Sequence, residues 1–197
     1  MKLSVAFLRS AIAAMAASAV VGIVSAQLPA KDPIPTNSVY QLDVLLENEN
    51  GDSIELDLFY GNPVLVTMFY TSCPHVCPLL INTIKVMEAK LSAEERARLR
   101  VLAISVDPER DTPEALKKTM QLHAVDRDRW TMVRSKPADL RTIAGMFGVR
   151  YKKLPDGEFN HSSKIILLDG KGISIAETSK LGKSDPAFLA AIQTALE

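Results

Sequence analysis

The hydrophobic pattern of the chain consists of short, near-continuous apolar blocks that alternate with stripes of helical spacing. The two clearest blocks cover residues 64–70 and 101–106 and contain several β-branched side chains. Blocks of this kind are typical of strands that are buried on both faces of a sheet. After the first block, apolar residues recur at helical spacing at Leu80, Ile84 and Met87. The alternation predicts an α/β fold in which a central mixed sheet carries helices on both faces.

Turn and cap signals define the remaining elements. The pair Asn50-Gly51 is a strong hairpin turn, and it predicts an added N-terminal hairpin with strands within 39–46 and 54–59. The other predicted features, in chain order, are helix starts at Ser92 and Thr112, a strand at 130–133, a helix at 140–147, strands at 164–168 and 173–176, and a last helix at 186–196.

The first residues carry the pattern of an export signal. Lys2 and Arg9 accompany an apolar, Ala-rich run at 11–24, and Ala26 ends a small-residue cleavage site. The run is shorter than the roughly 20 residues that a membrane span needs, so we predict cleavage near Ala26. The alternative is an uncleaved N-terminal anchor that faces the periplasm. The predicted organisation is a signal peptide at 1–26, an extended leader at 27–38 and one domain at 39–197.

Charge and length narrow the class of protein. The chain carries 23 basic and 23 acidic residues, and loss of residues 1–26 would leave 21 basic residues. The sequence contains no basic patch or charge run, which argues against nucleic acid or an anionic membrane surface as a partner. The 171 residues that follow Ala26 are enough to bury a core without help from disulfides.

The candidate chemistry lies in the segment YTSCPHVCP at 70–78, directly after the first buried block. Cys73 and Cys77 are the only cysteines, and a disulfide between them would close too small a loop to stabilise the fold much. A cysteine at a helix N-terminus has a lowered pKa and a reactive thiolate. The prolines allow two such starts, one at Pro74 with Cys73 as its cap and one at Pro78 with Cys77 as its cap.

The spacing of the two cysteines is compatible with redox chemistry and with metal binding. Three residues separate them, whereas ordinary disulfide oxidoreductases have two. The wider spacing still allows a disulfide, and it also suits two thiolates that close on one metal ion. Soft thiolates favour Cu(I) or zinc, and zinc usually takes four ligands. Two cysteines with one histidine are therefore a natural set for low-coordinate copper.

Three segments of the chain together resemble the Sco/SenC family. They are the cysteine segment at 69–78, the segment ISVDPERDTP at 104–113 and the segment NHSSK at 160–164, where a histidine precedes a late strand. The segments occur in the order found in the family, and the resemblance extends from about Val39 to the C-terminus. Many relatives have an aspartate before this histidine, whereas this chain has Asn160.

The resemblance implies a thioredoxin-like fold and a copper site formed by Cys73, Cys77 and His161. It also implies a periplasmic metallochaperone whose partner is the copper-centre subunit of cytochrome c oxidase or another copper or thiol protein. The alternative is a thiol-disulfide oxidoreductase that uses Cys73 and Cys77 to reduce a partner's cysteines. Enzymatic activity is expected only under this alternative.

Other polar residues near these motifs have ordinary structural interpretations as well. His75 lies between the cysteines and is expected to face solvent, with a role as a fourth ligand as the alternative. His123 falls on an apolar helical stripe, which is typical of a packing or surface residue. Asp107 ends a buried strand, where functional groups of open α/β sheets gather, so it is a candidate for orienting a loop. Arg110 and Asp111 are equally compatible with an ion pair inside that loop.

Overall fold

The computed structural model of the protein describes residues 33–197. The predicted signal peptide and residues 27–32 of the predicted leader lie outside the described residues. Residues 33–38 contain one turn and neither a helix nor a strand. Within 33–197, every helix is too short or too polar to cross a bilayer.

Seven strands form one mixed sheet, in the spatial order β2-β1-β5-β4-β3-β8-β9. The strands β3, β4 and β5 run parallel, whereas the hairpin β1–β2 and the pair β8–β9 add antiparallel neighbours at the two sides. This arrangement confirms the predicted mixed sheet. The strand bounds are β1 Leu46–Asn48, β2 Ser53–Ile54, β3 Val64–Phe69, β4 Arg100–Ser105, β5 Trp130–Ser135, β6 Tyr151–Lys153, β7 Phe159–His161, β8 Ile165–Leu168 and β9 Ser174–Thr178.

The described part of the chain contains five α-helices, of which four lie between strands and the last follows β9. Their starts follow the predicted cap signals: the Ser92 hydroxyl and the Glu95 carboxylate each accept the other residue's backbone N–H. Thr112 caps the helix that begins at Pro113. The helix bounds are α1 Val76–Glu88, α2 Ala93–Arg98, α3 Pro113–Leu122, α4 Leu140–Met146 and α5 Pro186–Leu196.

The N-terminal hairpin is present but has shorter strands than the sequence predicts. Its outer parts form 3₁₀ turns at Val39–Gln41 and Leu56–Phe59 instead of extended strands. The first turn is stabilised by the Ser38 hydroxyl, which accepts the Tyr40 N–H at 3.0 Å. Because these turns bury apolar residues in the core, tertiary packing overrides the local strand pattern here.

The central strand β3 brings two of the sequence motifs together. All six of its residues are buried, so both of its faces are covered, as the apolar block predicts. It pairs in parallel with β4, and Phe69 at its end lies opposite Ser105. Since both strands end at the same edge of the sheet, the chain segments that follow Phe69 and Ser105 leave the sheet side by side.

A second, two-stranded sheet was not predicted from the sequence. The strands β6 and β7 pair with each other in antiparallel fashion, and His161 lies opposite Tyr151. A turn at 154–158 joins them, and Gly157 adopts a positive φ of 86° there. His161 precedes the strand β8, as the sequence predicts, and it also ends β7 of this unpredicted hairpin.

Candidate metal centre

Cys73 and Cys77 lie where β3 leads into α1, but the helix start differs from both predicted positions. The helix begins at Val76, and His75 is the N-cap residue without a capping bond from its side chain. The Cys77 N–H in the first turn donates to Cys73 Sγ at 3.4 Å. The Cys73 sulfur therefore accepts a free helix N–H although the helix starts three residues after it.

The two thiols have different electrostatic environments, and both are free. Burial acts to raise the pKa of Cys73, but hydrogen bonds from the backbone N–H groups of Cys77, His75 and Val76 and from the Cys77 thiol outweigh it. As a result the pKa of Cys73 is lowered. Burial raises the pKa of Cys77, which is only 2% exposed. Cys73 is thus the more acidic thiol of the pair.

A buried carboxylate, Asp111, anchors the turn that carries Cys73. It accepts hydrogen bonds from the Thr71 N–H, from the Thr71 hydroxyl at 2.6 Å and from the Ser105 hydroxyl at 2.6 Å. Burial raises the pKa of Asp111, while the bonds from Ser105 and Thr71 counteract this. Through these bonds, the loop after β4 fixes the loop after β3.

His161 approaches the cysteines from the two-stranded hairpin. Its Nε2 lies 3.9 Å from Cys77 Sγ, and its Nδ1 lies 3.2 Å from the Ser162 carbonyl oxygen. Since a carbonyl can only accept, Nδ1 carries the proton in this hydrogen bond, and the Nε2 lone pair faces the sulfur. Burial lowers the pKa of His161, which favours the neutral imidazole that binds metals.

Tyr70 connects the cysteine segment with the histidine hairpin. Its N–H donates to Cys77 Sγ at 3.4 Å, and its hydroxyl donates to the Phe159 carbonyl at 3.3 Å. Its ring lies against the Phe159 and His161 rings, at centroid distances of 5.7 and 6.0 Å. One residue therefore contacts both parts of the candidate site, Cys77 through its backbone N–H and the histidine hairpin through its side chain.

The donor set fits a soft metal ion. Two ligands of one first-row metal ion, a sulfur and an imidazole nitrogen, lie about 3.6–3.9 Å apart for bond angles of about 110–130°. The observed distance between Cys77 Sγ and His161 Nε2 is 3.9 Å. Within residues 33–197, however, no three His, Cys, Asp or Glu side chains stand together at metal-binding geometry. A three-ligand site formed by Cys73, Cys77 and His161 therefore requires these side chains to draw closer together.

The other sequence candidates have distinct positions. His75 is exposed, as expected for a solvent-facing residue. His123 is the C-cap residue that follows α3, and its carbonyl accepts from Lys85 Nζ at 2.6 Å. It also lines a cavity of about 230 Å³ together with Cys73 and Cys77. Asp107 is 1% exposed and forms an ion pair with Arg110 inside the loop.

Sequence reasoning missed the individual roles of two residues in the ISVDPERDTP segment. The carboxylate of Asp111 contacts the cysteine turn, and Arg110 reaches the histidine hairpin. The sequence offered an ion pair of Arg110 with Asp111 as an alternative, but in the structure Arg110 pairs with Asp107 instead, and Asp111 accepts from Thr71 and Ser105. The contacts of Asp111 with the cysteine turn and of Arg110 with the hairpin depend on which segments lie beside this loop in space. The sequence of the loop therefore does not predict them directly.

Comparisons with known proteins relate nearly all of the described chain to one family. The family model described as SCO1/SenC matches residues 35–197. The SCO1 protein homolog of Bacillus subtilis is 28% identical over 147 residues, which cover 72% of this chain and 74% of that protein.

Solved structures show the same fold. Bradyrhizobium japonicum ScoI with copper bound has a TM-score of 0.64 and 27% identity, with 77% of this chain and 96% of that chain covered. BsSco, described with a disulfide switch and as a member of the Sco family of cytochrome c oxidase assembly proteins, has a TM-score of 0.65 and 23% identity. The match covers 77% of this chain and 90% of that one. These similarities confirm the predicted thioredoxin-like fold.

Proposed function

The chain belongs to the SCO1/SenC family, and on that premise we propose that it is a periplasmic copper metallochaperone. Cys73, Cys77 and His161 are its proposed copper ligands. The observation that carries the proposal is the distance of 3.9 Å between His161 Nε2 and Cys77 Sγ. Cys73 Sγ lies beside them, because it accepts a hydrogen bond from the Cys77 N–H. The similar ScoI of Bradyrhizobium japonicum holds copper in its solved structure, which supports the choice of metal.

The proposed recipient is the copper-centre subunit of cytochrome c oxidase or another copper or thiol protein. The description of BsSco as a member of a family of cytochrome c oxidase assembly proteins supports this direction of transfer. A three-coordinate site also suits a carrier, because an incoming ligand from the recipient can join before a ligand of the donor leaves.

The two thiols have different tasks when the metal ion is taken up. The lowered pKa of Cys73 makes it the first thiolate, ready for a soft cation. The raised pKa of Cys77 means that its proton leaves only as the metal binds, so that binding releases a proton to solvent. His161 already presents its Nε2 lone pair, because its Nδ1–H is held by the Ser162 carbonyl.

Export to the periplasm is part of the proposal and rests on the first 26 residues of the sequence. Cleavage near Ala26 would release the chain, whereas an uncleaved N-terminus would anchor it to the membrane. Mass spectrometry of the protein isolated from intact cells distinguishes these forms. A chain that begins near Gln27 supports cleavage, and a chain that retains residues 1–26 supports the anchor.

Thiol-disulfide exchange is the second candidate function, favoured by the acidity of Cys73. The Cys73 thiolate would attack a partner's disulfide and form a mixed disulfide, and the released partner thiolate would take up a proton. Cys77 would then lose its proton and attack Cys73 Sγ, which releases the second partner thiolate. The partner gains two thiols, the pair becomes a disulfide, and a thiol donor must reduce it again.

The copper titration of the reduced protein under anaerobic conditions tests the main proposal. We expect one copper ion per chain, near-complete loss of binding in Cys73→Ala and Cys77→Ala, and a weakening of at least about 10–100-fold in His161→Ala. The exposed His75 offers a matched control, and His75→Ala is expected to bind like the parent. Equal affinity of His161→Ala and the parent would contradict the three-ligand site.

The reduction potential of the cysteine pair separates the two functions. A pair that ordinary thiol donors cannot reduce would not turn over as a reductase. Copper binding with such a potential would leave the metallochaperone as the only function. Conversely, rapid reduction of a model disulfide by a chain that binds no copper would favour the oxidoreductase.

A further inference from the structure

Arg110 bridges the loop after β4 and the tip of the β6–β7 hairpin. Its Nε forms an ion pair with Asp107 in its own loop. The other side of the guanidinium group donates to the Gly157 carbonyl at 2.7 Å and lies 3.6 Å from the Glu158 carboxylate. A single planar cation thus contacts two segments that are 47 residues apart in the chain.

The loop side of this bridge is fixed. Asp107 is 1% exposed, and its N–H donates to the Ser105 hydroxyl at 2.9 Å at the end of β4. Its Oδ1 is buried and has no hydrogen-bond partner among residues 33–197, so Arg110 supplies the main compensation for a buried charge. The guanidinium group therefore has a defined position before it contacts the hairpin.

The hairpin side has few other attachments. The strands β6 and β7 belong to no other sheet, and no residue from 151 to 161 is fully buried. Tyr70 packs against Phe159 and His161 near the base of the hairpin. At the tip, Arg110 and the exposed pair of Lys153 with Glu109 at 3.3 Å make the polar contacts to the loop after β4. An isolated two-stranded hairpin is marginally stable, so its position depends on these contacts.

We propose that Arg110 is a positioning residue that seats the β6–β7 hairpin and thereby keeps His161 Nε2 within reach of Cys77 Sγ. This inference rests on the proposed function for its consequence in copper binding. When the contacts of Arg110 with Gly157 and Glu158 break, the hairpin is free to carry the imidazole away from the thiols. With these contacts intact, the ISVDPERDTP segment positions both halves of the site. Asp111 holds the cysteine turn, and Arg110 holds the hairpin that carries the histidine.

The geometry of the guanidinium group explains why arginine is needed. The guanidinium group of Arg110 is a rigid fork of N–H donors. Its Nε pairs with the Asp107 carboxylate, while its Nη2 donates to the Gly157 carbonyl. Lysine keeps the positive charge near Asp107 but is a point charge without the rigid fork. Arg110→Lys therefore preserves the compensation of the buried Asp107 and removes the bridge to the hairpin.

The test measures the hairpin first without metal. Hydrogen exchange of the backbone amides in the metal-free protein reports opening of β6–β7 directly. We expect Arg110→Lys to speed exchange in this hairpin by about 10-fold or more, the effect of losing one hydrogen bond to a charged group, and to leave the amides of β3 unchanged. The matched control is Glu109→Gln, which breaks an exposed ion pair to the same hairpin and is expected to change exchange less than about twofold.

The second arm measures copper affinity in two backgrounds. Arg110→Lys is expected to weaken binding about 10-fold in the parent and to have no further effect in His161→Ala, because it acts through the imidazole. A loss of equal size in both backgrounds would overturn the proposal and assign Arg110 to the cysteines or to general stability. Unchanged hairpin exchange would overturn it as well. If the parent bound no copper, the proposed function would fail. The hydrogen-exchange experiment would still show whether Arg110 holds the β6–β7 hairpin in place.

A second variant serves if Arg110→Lys does not fold. Glu158→Gln leaves the pair of Asp107 and Arg110 intact and removes the charge on the hairpin side. A smaller acceleration of exchange in the same amides supports the proposal. Exchange identical to that of the parent contradicts it.

Discussion

The two halves of the candidate site are built in different ways. The cysteines follow β3, whose six residues are all buried, and Asp111 in the neighbouring loop holds their turn by accepting from the N–H and the hydroxyl of Thr71. His161 lies on a two-stranded hairpin outside the main sheet, where no residue from 151 to 161 is fully buried. The thiols therefore belong to the core, and the imidazole belongs to an attached element.

The proposed metallochaperone function requires the protein to hold and to release a metal ion, and this difference bears on both steps. Local opening requires less free energy where few apolar contacts are buried. The hairpin can therefore open without disturbing the core, whereas the cysteine turn cannot. We infer that retention depends on the closed hairpin and that release begins when His161 leaves.

The two thiols of the cysteine half should differ strongly in their reactivity. Alkylation of the reduced, metal-free protein is expected to modify Cys73 at least about 100-fold faster than Cys77, since the thiolate is the nucleophile and each pKa unit is tenfold in thiolate population. The pKa of Cys73 is lowered and that of Cys77 is raised. The reaction of Cys73 should therefore persist as the pH falls below the ordinary thiol pKa of about 8.5. Mass spectrometry of the modified peptides checks this, and equal rates would refute the difference.

The buried carboxylate of Asp111 should contribute more to the free energy of unfolding than an exposed carboxylate does. Asp111→Ala leaves the Thr71 N–H and two hydroxyls without their acceptor, so we expect a loss of about 3 kcal/mol in the free energy of unfolding. Urea unfolding of the reduced protein measures it, with the exposed Asp43→Ala as the control, expected to lie within about 0.5 kcal/mol of the parent. A loss below 1 kcal/mol for Asp111→Ala would mean that the cysteine turn is not held as described.

The smallest expected effect concerns the junction of the two halves. Tyr70→Phe keeps the ring contacts with Phe159 and His161 and removes the hydroxyl that donates to the Phe159 carbonyl. We expect local opening of the hairpin to become easier by about 0.5–1.5 kcal/mol, with little change in global unfolding. Hydrogen exchange of β6–β7 and of β3 measures both. A matching change in β3 would show that the hairpin does not open independently.

The sequence predicts the central strand and most helix starts well, because apolar blocks and cap residues are local signals. The block at 64–70 marks the buried central strand, and the caps at Ser92 and Thr112 mark two helix starts that the structure confirms. The start of α1 was predicted at either proline but lies at Val76. The reason is that the Cys73 sulfur accepts the Cys77 N–H from outside the helix.

The site itself depends on contacts that are distant in the sequence. Cys77 and His161 are 84 residues apart, and their neighbourhood follows from the position of a hairpin that the apolar pattern does not reveal. The turn at 154–158, with Pro155, Asp156 and Gly157, is the signal that could have revealed it, since such a combination favours a tight turn between strands. The family resemblance suggested His161, and the contacts of Tyr70 and Arg110 explain how it reaches the thiols.

X-ray absorption at the copper edge of the reduced, copper-loaded protein reports the copper ligands themselves. We expect a first coordination shell of two sulfur atoms and one imidazole nitrogen, and loss of the nitrogen in His161→Ala. A shell of sulfur alone in the parent, or a nitrogen that persists in His161→Ala, would contradict a site built from Cys73, Cys77 and His161.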